Sequence, residues 1–202
     1  MSGTLWVTGD DDADRLLNTD GTALLVGMVL DQQIPLAWAL RGPATLRARL
    51  GHLDAARIAA MDPEAVVAVA AATPAVHRFP AAMGRRVHEL CRALVDDHGG
   101  DGARVWAEVR NGEQLRERLL ALPGFGDEKA RITVAVLAKR FAIRPPGWEA
   151  AAGVFADDQP RSVADCASPT SYAAVKAWKK DQKAAGWDKQ DRPLPSSPGA
   201  IG

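Results

Sequence analysis

Cysteines and long apolar runs are scarce in this 202-residue chain, and each scarcity excludes a class of protein. Only two cysteines occur, Cys91 and Cys166, which are too few for a four-thiolate zinc or iron–sulfur site, so we expect two free thiols. No run of about 18 apolar residues is present, which predicts no membrane-spanning helix. The N-terminus also lacks a signal-peptide pattern, and we therefore expect a cytoplasmic protein with no membrane partner.

An excess of charge of one sign is also missing. The chain has 25 basic and 25 acidic residues, so its composition alone indicates no nucleic-acid partner. The charges are nevertheless uneven, because basic residues cluster in the middle of the chain and in its last helical pattern: Arg78, Arg85, Arg86 and Arg92, then Lys176, Lys179, Lys180 and Lys183. Such runs are more often solvated helix surface than phosphate contacts.

Helical periodicity dominates the sequence, and extended runs of β-branched residues are rare. Apolar residues recur at helical spacing, for example at Val134, Leu137 and Phe141. Asp62 before Pro63 is typical of a helix start, with aspartate as the N-cap and proline in the first turn. We therefore predict an all-α fold, with one helical domain over residues 1–191 and a flexible tail over 192–202.

The segment from Ile143 to Ser168 interrupts this rhythm. It has little periodicity and predicts a long ordered loop, which is usually functional. Among the tryptophans, we expect Trp148 in this loop to be able to stack on a base, and the others to lie mostly in the core.

A short glycine-containing segment, Leu122-Pro123-Gly124-Phe125-Gly126, lies between two helical patterns that together span residues 115–141. The two glycines permit positive φ and a close approach by another backbone, while Phe125 can anchor the turn in the core. The amides at the start of the second helix would then face outward and form an anion site suited to a phosphate. A plain helical corner with a glycine C-cap is the alternative.

Three segments carry a resemblance to a known superfamily. The run LLALPGFGDEKA resembles the helix-hairpin-helix of the base-excision DNA glycosylases (HhH-GPD), which include endonuclease III and the alkylation-repair glycosylases. Residues 29–35, VLDQQIP, resemble the Gln-Gln segment of the alkylation-repair branch, and residues 84–90, GRRVHEL, resemble the start of a helix that precedes the hairpin. The resemblance covers roughly residues 24–141. It implies a two-lobed helical fold, acting as a monomer on damaged double-stranded DNA.

The resemblance also implies roles for individual residues. An enzyme that cuts a base from its sugar must flip the nucleotide out of the stack, and a wedge residue fills the gap. Gln33 matches the wedge by position, with Gln32 beside it. The hairpin residues Gly124, Phe125 and Gly126 would contact DNA. In relatives the hairpin holds a monovalent cation through three backbone carbonyls, which correspond here to Leu120, Leu122 and Phe125.

The sequence departs from the bifunctional members of the superfamily after the hairpin. Their lysine nucleophile corresponds to Glu128, and the lysine comes one residue later, at Lys129. One residue turns a helical side chain by about 100°, so we expect no Schiff-base lyase activity. We expect Lys129 to be an exposed lysine or a phosphate contact. The role of Glu128 is open: it could position a water, repel undamaged DNA or face solvent.

The superfamily also uses an aspartate after the hairpin helix to stabilise the sugar cation that forms as the base leaves. The best local match is Asp165, in Ser162-Val163-Ala164-Asp165, followed by Asp158; a chain with no catalytic aspartate is the third alternative. Ser162 and Asp165 also fit a helix-capping pair. The cluster cysteines of endonuclease III are absent, so we expect no iron–sulfur cluster.

These features lead to one hypothesis and two rivals. The sequence favours a monofunctional DNA glycosylase that excises a damaged base and leaves an abasic site. The first rival is a non-catalytic helix-hairpin-helix module that only binds DNA. The second is a helical interaction protein with no nucleic-acid role. No motif identifies the damaged base.

Overall fold

The computed structural model describes residues 1–195, and within this range the chain contains α-helices and no β-strand. The prediction of an all-α fold is confirmed. The α-helices are α1 (Asp11–Thr19), α2 (Gly21–Leu30), α3 (Leu36–Leu50), α4 (Ala55–Ala59), α5 (Pro63–Ala71), α6 (Pro80–His98), α7 (Gly112–Leu120), α8 (Asp127–Arg140), α9 (Trp148–Ala152) and α10 (Pro169–Ala184). Short 3-10 turns cover Gly102–Val105, Gly153–Ala156 and Val163–Asp165.

Helix α2 is the centre of the first group of helices. All its residues are buried, which agrees with its almost entirely apolar sequence, GTALLVGMVL. Asp20 caps its start by accepting a hydrogen bond from the Ala23 amide, at 3.0 Å. Helices α1, α3 and α6 pack around α2, and α4 and α5 pack on α6. Asp62 caps α5 ahead of Pro63, which confirms the predicted helix start.

The second group is built around α8, against which α7, α9 and the turn at Val163–Asp165 pack, with α10 packing on that turn. The N-terminal segment ties the two groups together. Its Leu5 amide donates to the Asn18 side chain on α1, at 2.8 Å, while its Trp6 amide donates to the Cys166 carbonyl, at 3.1 Å. The buried apolar side chains of both groups form one continuous cluster.

Two predictions concern the irregular parts of the chain, the segment 143–168 and the tail 192–202. The segment 143–168, predicted as one long ordered loop, contains α9 and two of the 3-10 turns and buries Phe155 completely. Of the predicted flexible tail 192–202, residues 196–202 lie outside the described residues, and within 192–195 Pro193 pairs with Trp187 as an isolated bridge. None of the described helices is long and apolar enough to cross a membrane.

Gly84 lies where α6 packs closely against α5. A Cβ at this position would lie 2.8 Å from the Val67 Cα on α5, a backbone atom that cannot give way without moving the helix. We expect Gly84→Ala to lower the free energy of unfolding by about 1–3 kcal/mol, as overpacked cores do. Urea unfolding measures this, with Arg92→Ala at an exposed position of α6 as the control. A Gly84→Ala variant as stable as the wild type would contradict the packing described.

Candidate nucleic-acid interface

The segment between α7 and α8 folds as a tight hairpin. The Phe125 amide donates to the Leu122 carbonyl at 3.1 Å, and Gly124 between them adopts φ +84°, which favours glycine. Leu122 and Phe125 are buried in the core, so the hairpin is anchored from inside. The tight turn therefore joins α7 to α8, and Asp127 is the first residue of α8.

The outer face of the hairpin presents unpaired backbone groups. Among residues 1–195, the amides of Gly126, Asp127, Glu128 and Lys129 donate no hydrogen bond, because Gly126 is an N-cap without a capping side chain. A Cβ on Gly126 would meet nothing within 4 Å, so this face is open. The unpaired amides and the helix dipole both favour an anion at this position.

The Gln32–Gln33 turn lies directly beside the hairpin, and Arg86 joins the two. The Arg86 guanidinium donates to the Gln32 Oε1 at 3.1 Å, while a Cβ on Gly124 would lie 2.7 Å from the Arg86 Cδ. Gln32 also donates to the Val29 carbonyl at 2.7 Å, so its side chain is fixed. Gln33 is exposed and adopts φ +55°, a strained conformation for a non-glycine residue, which the surrounding contacts must hold.

A buried histidine supports this turn and connects it to an exposed aromatic residue. The His77 Nδ1 accepts from the Phe79 amide at 2.9 Å, which leaves Nε2 to donate to the Gln32 carbonyl at 2.8 Å. Phe79 is 45% exposed, with the Arg78 guanidinium 4.4 Å from its ring centroid. Phe79 is a functional candidate that was not predicted from the sequence. Its position immediately before Pro80, at a helix start, was the available signal.

Lys129 is not the exposed lysine that the sequence suggested. Its Nζ donates inward to the Val29 carbonyl at 3.2 Å and lies 5.8 Å from the Phe125 ring centroid. Burial of the ammonium lowers the pKa of Lys129 to about 8, and the nearby Asp31 carboxyl opposes this shift. Lys129 therefore closes the inner side of the hairpin and does not project from its outer face.

Asp31, at the C-cap of α2, is a carboxyl group that the sequence analysis missed as a functional candidate. Within the described part of the chain its side chain accepts no hydrogen bond and has no cationic partner within 4 Å. Burial raises the pKa of Asp31, and the charges of Lys179, Lys189 and Lys129 oppose this rise. Only its place directly before the Gln-Gln pair could have indicated a role.

The acidic residues at the start of α8 are neutralised by neighbours. Asp127 accepts from Arg116 at 2.5 Å and from Arg131 at 2.9 Å, and the hydrogen bond from Arg116 is the main reason that the pKa of Asp127 is lowered. Glu128 pairs with Lys189 at 2.8 Å and accepts from the side-chain Nε2 of Gln190 at 2.6 Å. Glu128 thus anchors the residues that follow α10.

The two aspartates ranked as catalytic lie away from the hairpin. Asp165 accepts from the Lys139 Nζ at 2.7 Å and from the Ser162 amide at 3.0 Å, so it forms the capping pair that the sequence offered as an alternative. Asp158 is exposed, and both aspartates line a cavity of about 530 Å³. Lys139 lies near the C-terminal end of α8, about 18 Å along the helix axis from Asp127.

The backbone groups proposed for a monovalent cation are only partly engaged. The Leu122 carbonyl accepts the hairpin hydrogen bond, whereas in residues 1–195 the carbonyls of Leu120 and Phe125 accept none. Two oxygens of this set are therefore free to coordinate a cation. No group of three or more His, Cys, Asp or Glu side chains in the described residues is placed to hold a metal ion.

The pKa of Lys129 predicts a pH dependence of stability. Above pH 8 the folded protein loses the Lys129 proton, whereas the unfolded chain keeps it until about pH 10.5. Raising the pH through this window therefore favours the folded state. We expect the free energy of unfolding of the wild type to rise relative to that of Lys129→Met as the pH increases from 8, measured by urea unfolding.

Comparison of the two proteins removes the contribution of other groups. The buried thiols of Cys91 and Cys166 have pKa values raised to about 12, so their titration opposes Lys129 above pH 9, but it does so equally in both proteins. Parallel pH profiles for the wild type and Lys129→Met would show that Lys129 titrates normally.

No family model, no curated protein and no solved structure matches this chain. The function of the site is therefore inferred from its geometry, its charges and the resemblance of its motifs.

Proposed function

We propose that the protein binds duplex DNA through the hairpin and acts as a monofunctional base-excision glycosylase of the HhH-GPD type. The observation that carries this proposal is the set of unpaired amides from Gly126 to Lys129 next to the exposed Gln33. In this proposal the helix groups α1–α6 and α7–α10 are the two lobes of a glycosylase-like fold. The DNA would lie across the hairpin and the Gln32–Gln33 turn.

The hairpin would bind the DNA backbone and not its bases. Amides and a helix dipole recognise a phosphate, which is the same in every nucleotide, so binding would be independent of sequence. A monovalent cation on the carbonyls of Leu120 and Phe125 would add positive charge beside that phosphate. Because these contacts replace condensed counterions, we expect the affinity to fall steeply with salt.

In this proposal, two exposed side chains would enter the DNA helix beside the bound phosphate. Gln33 carries an uncharged amide that can hydrogen-bond to an unpaired base, and phosphates do not repel it. Phe79 carries an exposed aromatic ring that can insert between base steps. Gln32 supports both residues. It directly precedes Gln33 in the turn, and its carbonyl accepts from His77, whose Nδ1 accepts from the Phe79 amide.

Substitution of Gly126 tests DNA binding without damaging the fold. Gly126 has the extended backbone that N-cap residues adopt, φ −92° and ψ 175°, and has open space around it. Gly126→Asp and Gly126→Ser would cap the free amides and raise the free energy of unfolding by a few tenths of a kcal/mol. We expect both to weaken duplex binding, measured by fluorescence anisotropy, by about tenfold or more, with Asp worse than Ser because of its charge.

Measuring both the affinity for duplex DNA and the free energy of unfolding separates an effect on binding from an effect on folding. Weaker binding with unchanged or higher stability supports a phosphate at the amides. Unchanged affinity in both variants would remove the hairpin from the interface and contradict the proposal.

We propose Asp31 as the carboxyl group of the excision step, because it lies directly before the Gln32–Gln33 turn and burial raises its pKa. Cleavage breaks the bond between the sugar C1′ and the base nitrogen, and the base leaves with the electron pair. The Asp31 carboxylic acid would supply the proton that the leaving base needs. The resulting carboxylate would then take a proton from the water whose oxygen bonds to C1′. One water is consumed, and a free base and an abasic sugar are formed.

The two aspartates can be compared in one assay. Purified protein is incubated with duplexes that contain alkylated, deaminated, oxidised or mispaired bases, and abasic sites are then cleaved with alkali. We expect Asp31→Asn to lower the excision rate by about 100-fold or more, because the proton donor is removed. Asp165→Asn should excise at the wild-type rate while losing stability, because it weakens the pair with Lys139. Strand breaks before alkali treatment would contradict the absence of lyase activity.

A non-catalytic DNA-binding module is the second candidate. It is favoured by the placement of Asp165, which is engaged by Lys139 and Ser162 at the far end of α8. This candidate predicts normal DNA binding and no base release from any duplex in the panel. The same measurements on the wild type therefore separate the two functions.

A further inference from the structure

The residues that follow α10 form a compact unit against this helix. We call Gly186–Pro195 the C-terminal turn; in it Trp187 pairs with Pro193, and the Leu194 amide donates to the Gly186 carbonyl at 2.8 Å. A cavity of about 230 Å³ lies between α10 and this turn. Its walls combine aromatic, apolar and cationic side chains: Trp178, Lys179, Gln182, Lys183, Trp187, Asp188, Lys189 and Leu194.

The charge of this cavity is positive. Three of its lining residues are lysines, and one of them, Lys189, is paired with Glu128 at 2.8 Å. The one acidic residue of the lining, Asp188, is engaged as well, so the charges of Lys179 and Lys183 remain. The Asp188 carboxylate accepts from the Arg192 side chain at 2.8 Å and from the Gln190 amide at 2.7 Å. A second cavity, of about 500 Å³, shares the two tryptophans but is lined by Asp181 and Asp191 and by no lysine. An anion is therefore favoured in the first cavity.

The two tryptophans make the cavity suitable for a flat aromatic group. Trp178 is held in place by the Arg161 guanidinium, which lies 5.1 Å from its ring centroid and is itself paired with Asp157 at 2.7 Å. Trp187 is 43% exposed, which is unusual for a large aromatic side chain that only stabilises a fold. Indole rings surrounded by ammonium groups are the combination that binds a base and its phosphate.

The cavity lies next to the hairpin. Lys189, one of its lining residues, pairs with Glu128 at 2.8 Å, and Glu128 is the second residue of α8. Lys179, also in the lining, is close enough for its charge to act on Asp31, at the end of α2. A DNA strand bound at the free amides of α8 would therefore pass the entrance of the cavity.

We propose that this cavity binds one unpaired nucleotide of the DNA strand that the hairpin holds. The inference rests on the proposed DNA binding and adds a second contact to it. The base stacks on the tryptophans, and its phosphate lies beside Lys179 and Lys183, the two lysines of the lining that form no ion pair within the described residues. Fully paired duplex cannot supply such a base, because its bases are stacked inside the helix.

Fluorescence anisotropy with two DNA probes tests the proposal: a fully paired duplex and the same duplex with one unpaired nucleotide. We expect the wild type to bind the second probe about tenfold more tightly, a typical effect of one stacked base. Trp187→Ala should abolish this preference and leave the affinity for the paired duplex unchanged. Trp187→Phe keeps an aromatic ring and should retain the preference. Lys183→Gln, in the cavity, should reduce it, whereas Lys180→Gln, exposed on the same helix, should not.

The outcomes separate this proposal from the proposed function. The proposed nucleotide site would be contradicted if the wild type bound both probes equally, or if Trp187→Ala kept the preference for the unpaired nucleotide. Either result would leave DNA binding by the hairpin intact. If neither probe binds, the proposed function fails. Deoxyadenosine monophosphate then tests the cavity directly, with tryptophan fluorescence as the readout. Quenching in the wild type that is lost in Trp187→Ala would support the cavity as a nucleotide site. No quenching in the wild type would contradict the proposal.

Discussion

The position of Arg86 between two backbone turns sets the geometry of the candidate site. Its aliphatic stem lies against Gly124, and its guanidinium holds the side chain of Gln32. The approach is possible because Gly124 has no Cβ, and the same glycine provides the positive φ that the hairpin needs. The turn that exposes Gln33 and the hairpin that exposes free amides therefore keep one relative position, although they are far apart in the sequence.

The parts of this site that could be predicted are those whose determinants are local. Two glycines around Phe125 specify the hairpin, and Asp62-Pro63 specifies a helix start, whatever lies nearby. The cluster of Asp31 with Lys129, Lys179 and Lys189 depends on how distant segments pack, and no spacing encodes it. Asp165 shows how ambiguous a local pattern can be. A serine–aspartate pair before a helix fits both a cap and a catalytic group, and its pairing with the distant Lys139 is not encoded in that pattern.

A net charge of zero conceals how the charges are arranged. The acidic groups at the start of α8 are paired, Asp127 with Arg116 and Arg131 and Glu128 with Lys189. Exposed ion pairs contribute about 0–1 kcal/mol each to stability, so these pairs matter more for the local field than for the fold. They cancel the carboxylates that would otherwise repel an anion from the α8 amides. Composition could not show this, because it counts charges and ignores their neighbours.

The N-terminal segment has a mechanical consequence. Its backbone is bonded on one side to α1 and on the other to Cys166 and to the end of α8, where the Thr4 amide donates to the Arg140 carbonyl at 3.0 Å. With one continuous core beneath it, this tie opposes a hinge motion between the two helix groups. If the protein binds duplex DNA as proposed, any adaptation would then fall to the DNA, and bending a duplex by 40–90° costs about 1–6 kcal/mol. Flexible or already distorted DNA would then be preferred before any base is contacted.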